Sequence, residues 1–280
     1  MSLWSHSELR AVVCPAQVAF FQVQRTLTLR GLHRTINGPH YVPCNSQDGV
    51  QPWRAALQAL EATLPGSADG RTTATVILSN HFLHYALVPW RAELANPEET
   101  LSFTRHCFAR VYGKSAQQWE LRLSHEAPEA PRLASAVDTE LLDALRGVFD
   151  KAGIPLQSIQ PHLMAVYNDF KGHLRRRSAW FALREPGNLC LALLFEGNWV
   201  RVRSLRIGRE WLAELPKILE RESYLADTPA VPHEVYLWDS GLGETALPEI
   251  DPWQFRALTP GQKRPTASAQ VWPFAMANWG

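Results

Sequence analysis

The sequence lacks the spacings by which most catalytic and cofactor sites announce themselves. There is no Gly-x-Ser-x-Gly elbow, no P-loop and no Gly-x-Gly-x-x-Gly run opening a helix. Its four cysteines, Cys14, Cys44, Cys107 and Cys190, are far apart with no Cys-x-x-Cys pair. That argues against a zinc site or a disulfide framework and for reduced core thiols of a cytoplasmic protein. Charge of either sign is not in excess: 28 Lys and Arg against 27 Asp and Glu give a formal +1, which supplies no general field for nucleic acid or an anionic membrane. The one cationic run, Arg175-Arg176-Arg177, follows an expected helix end, where cations complement exposed carbonyls. Apolar runs are short. The stretch 189–195 is a buried strand rather than a span, because crossing a bilayer needs about 18–20 residues. The opening MSLWSHSELR has no apolar signal-peptide core. The expectation is a soluble protein whose membrane attachment, if any, comes through a partner.

What is present is β-strand grammar interrupted by helices. With 280 residues and 46% hydrophobic composition the chain is long enough for one large or two medium domains. Strands are expected at 9–13, 18–24 and near 35–42, then a helix over 52–64 with Trp53, Ala56, Leu57, Leu60 and Leu64 on one face. The run 74–90 reads as two strands joined by a tight polar break, like a hairpin. A helix over 96–111 has Glu98 and Glu99 in its first turn and stops at Gly113; a strand over 119–123 follows. Then come a strand at 132–137, a helix from its N-cap Asp138 to Ala152, a strand over 154–159 and a helix over 161–174. Pro186-Gly187-Asn188 and Glu196-Gly197-Asn198 punctuate three meander strands over 180–206. A helix over 209–225 and a strand over 234–238 complete the pattern. Both halves thus share one plan, a three-stranded meander, a helix, and a further strand and helix. The expected architecture is α/β, with duplicated mixed-sheet subdomains at 1–126 and 127–250, a linker at 124–131, a partly docked tail at 251–280 and a cleft between the halves. Eleven tryptophans, several beside loops, are read as covers for core edges.

That element order resembles the actin-like (ribonuclease H-like) ATPase fold, and within it the assembly proteins PilM of type IV pili and the cytoplasmic part of GspL of type II secretion. The residues that carry the resemblance are AGIPLQSIQPHLMAVYNDF at 152–170, the helix REWLAELPKILERESYLAD at 209–227 and VYLWDSGLG at 235–243. The resemblance implies a cleft that would hold ATP with Mg²⁺, with Glu185, Gly187, Gly208, Gly241 and Gly243 as the binding residues. Glu185 would stand in for a metal-organising Asp. The sequence departs from the family where phosphate should be cradled. Its first hairpin turn reads Cys14-Pro15-Ala16, with no carboxylate and a proline that has no N–H, and Pro186 removes another donor.

Other candidate groups are set aside on geometry. His81 and His84, three apart on a strand, face opposite ways and make a poor metal pair. His106 and Cys107 are adjacent on a helix and diverge. Asn80 reads as a turn residue. With no catalytic residues assigned, the expected function is a cytoplasmic scaffold in pilus-like or secretion-like assembly, without ATP hydrolysis, bound to the cytosolic tail of an inner-membrane assembly protein. The alternative is an actin-like ATPase or small-molecule kinase.

Overall fold

The computed structural model describes residues 4–28, 31–44, 51–64, 72–94, 96–124, 129–226, 228, 230–239 and 247–258. The β-rich N-terminus forms a meander: β1 (Trp4–Val13), β2 (Gln17–Thr28) and β3 (Gly31–Pro43) pair antiparallel. Residues 9–14 are all buried, as in a central strand covered on both faces. After α1 (Pro52–Thr63), whose Ala56, Leu57 and Leu60 are buried as the spacing required, β4 (Thr72–Leu78) lies parallel to β1.

The chain then leaves this sheet. A 3₁₀ turn at Asn80–Phe82 redirects it into β5 (Leu83–Val88). β5 pairs not with β4 but with β7 (Arg132–Asp138), which also pairs with β6 (Trp119–Leu123). The hairpin expected over 74–90 is therefore two strands of different sheets. α2 (Pro97–Tyr112) covers this small sheet, capped by Asn96 Oδ1, which accepts from Glu98 N at 2.7 Å. α3 (Thr139–Lys151), capped by Asp138, leads to β8 (Leu156–Pro161), which joins the first sheet beside β4.

The second sheet repeats the first. After α4 (His162–Leu174), β9 (Ala179–Glu185), β10 (Asn188–Phe195) and β11 (Asn198–Arg206) form a meander. Past α5 (Trp211–Tyr224), β12 (Glu234–Asp239) and β13 (Gln254–Ala257) add in parallel. The sheet orders are β3-β2-β1-β4-β8 and β11-β10-β9-β12-β13, with β5-β7-β6 inserted in the first half. This is the duplicated α/β plan.

Two sequence-based boundaries need correction. A break at 126/127 would part β6 from β7, hydrogen-bonded neighbours, and would assign β8 away from its own sheet. Residues 254–257 are not tail but the edge strand β13; 259–280 lie outside the described residues. The core explains the coherence of the whole. One continuous hydrophobic cluster holds Val12, Phe21 and Ile77 of the first sheet together with Phe181, Leu194 and Trp238 of the second. The opposite face of β9 and β10, with Trp180, Leu191 and Leu193, packs on Leu215 and Leu219 of α5. Burial on both faces is why 189–195 is continuously apolar. At about 1.5–3 kcal/mol for each large apolar side chain removed from water, this strand is a major source of stability.

Candidate functional site

Parallel strands place their C-terminal ends together, and in open α/β sheets that edge is where ligands sit. Here the ends of β1, β4 and β8 meet the ends of β9 and β12. Four segments converge: the Cys14-Pro15-Ala16 turn, Ser79-Asn80-His81 after β4, the start of α4, and the β9–β10 turn. They enclose a buried polar cluster centred on Glu185, which is fully buried, with His162 and Asn80 at 1% and 2% exposure. His162 Nδ1 lies 2.6 Å from Glu185 Oε1. The backbone N–H of Asn80 donates to both Glu185 oxygens, at 2.9 and 3.3 Å. Asn80 Oδ1 accepts from the Tyr85 hydroxyl at 2.6 Å and from Leu163 N at 3.2 Å, while its Nδ2 finds no acceptor. The Trp238 ring edges His162 at 5.0 Å. Burial pushes the Cys14 and Cys190 thiols well up, with the nearby Glu185 carboxyl adding to it, so neither is poised as a nucleophile.

Outside this cluster a cavity of about 780 Å³ opens. Pro15, Gln17, Trp53, His81, Trp119 and Pro186 are among its lining residues. His84 stacks flat on Trp119 at 3.9 Å; burial pushes its imidazole down, opposed by Asp138. His81 sits across the cleft on the Pro186 carbonyl, 2.9 Å from Nε2. His81 and His84 are thus separately engaged, and among the described residues no group of three or more His, Cys, Asp or Glu could hold a metal.

Of the five residues expected to bind nucleotide, the three that are described, Glu185, Gly187 and Gly208, are not among those that line this cavity. Glu185 lies beneath it, its carboxylate committed. Gly187 forms the β9–β10 turn after Pro186, and its φ of +75° lies in the left-handed region that favours glycine. Gly208 is exposed beyond β11, with open space around its Cα. Gly241 and Gly243 lie outside the described residues. The fit to Mg-ATP is poor on this geometry. The first turn has no carboxylate, Pro15 and Pro186 have no N–H, and Cys14 N is spent on Gln17 O at 3.1 Å. Sequence reasoning missed the cluster itself, treating Asn80 as a turn and leaving His162 unremarked. The signal that it contained was a polar Ser79-Asn80 pair directly after the apolar strand 74–78.

No protein-family model matches the sequence, and no curated protein matches it at the sequence level. Solved structures do share its fold. The cytoplasmic domain of EpsL, an inner-membrane component of the type II secretion system of Vibrio cholerae, superposes with a TM-score of 0.55 at 10% identity, over 92% of this chain and 90% of that one. A PilM-PilN type IV pilus biogenesis complex matches with a TM-score of 0.55 at 14% identity, over 85% and 82%. A Bacteroides thetaiotaomicron protein of actin-like ATPase fold and unknown function matches with a TM-score of 0.52 at 8% identity, over 83% and 81%. The chain has the actin-like fold, similar to these GspL- and PilM-type structures.

Proposed function

We propose that this protein is a scaffold or adaptor of a pilus-like or secretion-like assembly machine and does not hydrolyse ATP. The fold likeness to EpsL, a component of the type II secretion system, and to the PilM-PilN pilus biogenesis complex supports the first half of this reading; a shared fold alone does not fix function. The observation that carries the second half is Glu185. The carboxylate that would organise metal is fully buried and engaged by His162 and by the Asn80 N–H. Releasing it would leave a buried imidazole and a backbone donor without partners, each a loss of about 1–3 kcal/mol.

The partner in this reading is the cytosolic tail of an inner-membrane assembly protein, and the protein's own place is cytoplasmic. No helix among the described residues is long and apolar enough to cross a membrane; in this reading such a partner recruits the protein to the membrane. The competing reading, a nucleotide-dependent enzyme, draws on the ATPase fold. Titration with Mg-ATP separates them. A nucleotide at a hundred times its dissociation constant would stabilise the protein by about 2.7 kcal/mol; the expected result is no calorimetric heat and no thermal shift at millimolar ATP. Saturable binding with Mg-dependent turnover that disappears in Glu185→Ala would overturn the proposal.

A further inference from the structure

Two strand edges with no hydrogen-bonded neighbour among the described residues come together away from the cleft. β5 ends the three-stranded sheet and β11 ends the second five-stranded sheet, so among the described residues each leaves one edge without a hydrogen-bonded strand. They lie side by side, with α2 packed on β5, and a groove of about 500 Å³ opens among the three elements. Leu87, Phe103, Val200 and Val202 give it an apolar floor, and Val111 at its end is 56% exposed.

The rim is cationic. Arg91, Arg110, Arg201 and Arg203 line the groove beside His106, and among the described residues no Asp or Glu does. Glu222 of α5, buried and just outside the groove, holds Arg201 at 2.8 Å and Arg221 at 3.1 Å and stands 3.9 Å from Arg203. It neutralises Arg201 and holds Arg203 only loosely. Arg91 and Arg110 have no ion-pair partner among the described residues. The Arg91 guanidinium lies 5.0 Å over the Phe103 ring, which keeps this charge against the apolar wall.

We propose that this groove docks a short acidic segment of a partner protein, carboxylates alternating with apolar side chains. Guanidinium groups take carboxylates in paired, charge-assisted hydrogen bonds, and the floor between them takes aliphatic groups. The apolar residues are recessed between strands and a helix, whereas a membrane anchor needs them protruding. The near-zero net charge likewise gives no general attraction for nucleic acid. The proposal deepens the adaptor reading and rests on it for the expectation of a protein partner; the ATP titration tests that reading separately, so each can fail alone.

The test uses fluorescence anisotropy with the full chain and a labelled peptide of alternating aspartate and leucine, about ten residues long. The same peptide with lysine for aspartate is the control. The acidic peptide should bind, the control should not, and raising the salt should weaken binding. The double variant Arg91→Gln/Arg110→Gln should weaken it about tenfold or more, with an unchanged melting temperature because both residues are exposed. Absence of binding, equal binding of both peptides, or full binding by the double variant would overturn the proposal. Preferential binding of phosphatidylglycerol vesicles or single-stranded DNA would do the same.

Discussion

Glu185 joins two halves of the molecule through a single carboxylate. It projects from the end of β9 and is held by His162 of α4 and by the Asn80 N–H beyond β4. Removing the carboxylate leaves the buried imidazole and the Asn80 N–H without their partner, at about 1–3 kcal/mol each, so Glu185→Ala should lower the denaturation midpoint strongly. Glu185→Gln keeps an acceptor for the Asn80 N–H and should cost less. Equal, negligible losses in chemical denaturation would show that the cluster is not structural. A second carboxylate sets an acid limit. Burial alone would raise Glu8, but Arg10 at 2.8 Å, the Thr75 hydroxyl at 3.1 Å and Arg25 at 3.2 Å together hold it below its ordinary value. A depressed folded-state value means the stabilisation is complete above the unfolded glutamate value, about 4.3, and is lost as pH falls through the folded value. Glu8→Gln should therefore cost about 1–3 kcal/mol at neutral pH and flatten the fall in stability below about pH 4. An unchanged acid limb in pH-dependent melting would contradict this.

Elements were the level most legible in the sequence, because periodicity and punctuation are local. The stripe on α1, the Asp138 cap and the two meander turns all stand where spacing placed them. The β10–β11 turn shows how tight such punctuation is. Gly197 has a φ of +82°, and a Cβ there would fall 2.6 Å from Arg176 N. The neighbouring Arg176 is itself at φ +63°, and Gly197 N donates to Arg177 O at 2.9 Å. The Arg175–Arg177 run is thus packed against this turn, with Arg177 over Tyr236 and 3.5 Å from Glu234, rather than serving only the end of α4. Gly197→Ala should destabilise by about 1–3 kcal/mol from strain and backbone overlap. Gly208→Ala, with open space and no positive φ, should be near neutral, and thermal melts of the two variants measure the contrast. The candidate site was legible only in part: departures such as Pro15 could be read from the residues, but the pairing of Glu185 with His162 joins positions 23 apart, and its bond to Asn80 spans 105.

Connectivity at the scale of the whole molecule escaped the sequence for a physical reason. Strand pattern specifies that 74–78 and 83–88 are extended and buried, but not which edges they join; the three residues Asn80–Phe82 turn the chain from one sheet to another. A boundary drawn at the proline-rich stretch 124–131 therefore cuts through a sheet. This has a direct consequence for fragments. Residues 1–126 would lack β7, the central strand of β5-β7-β6, and β8, the edge strand beside β4, leaving β4 with an unpaired edge and β5 and β6 without their hydrogen-bonded partner. They would also lose Phe181, Leu194 and Trp238 from the shared hydrophobic cluster. With native stability only about 5–15 kcal/mol, losing these three buried side chains at about 1.5–3 kcal/mol each removes a large part of that margin, and the unpaired strands remove more. The fragment 1–126 should thus be unfolded or aggregated, and the intact protein should unfold in one transition, with tryptophan fluorescence and far-ultraviolet circular dichroism coincident. A cooperatively folded 1–126 fragment, or two separated transitions in the whole chain, would show that the halves are independent and that the shared cluster does not couple them.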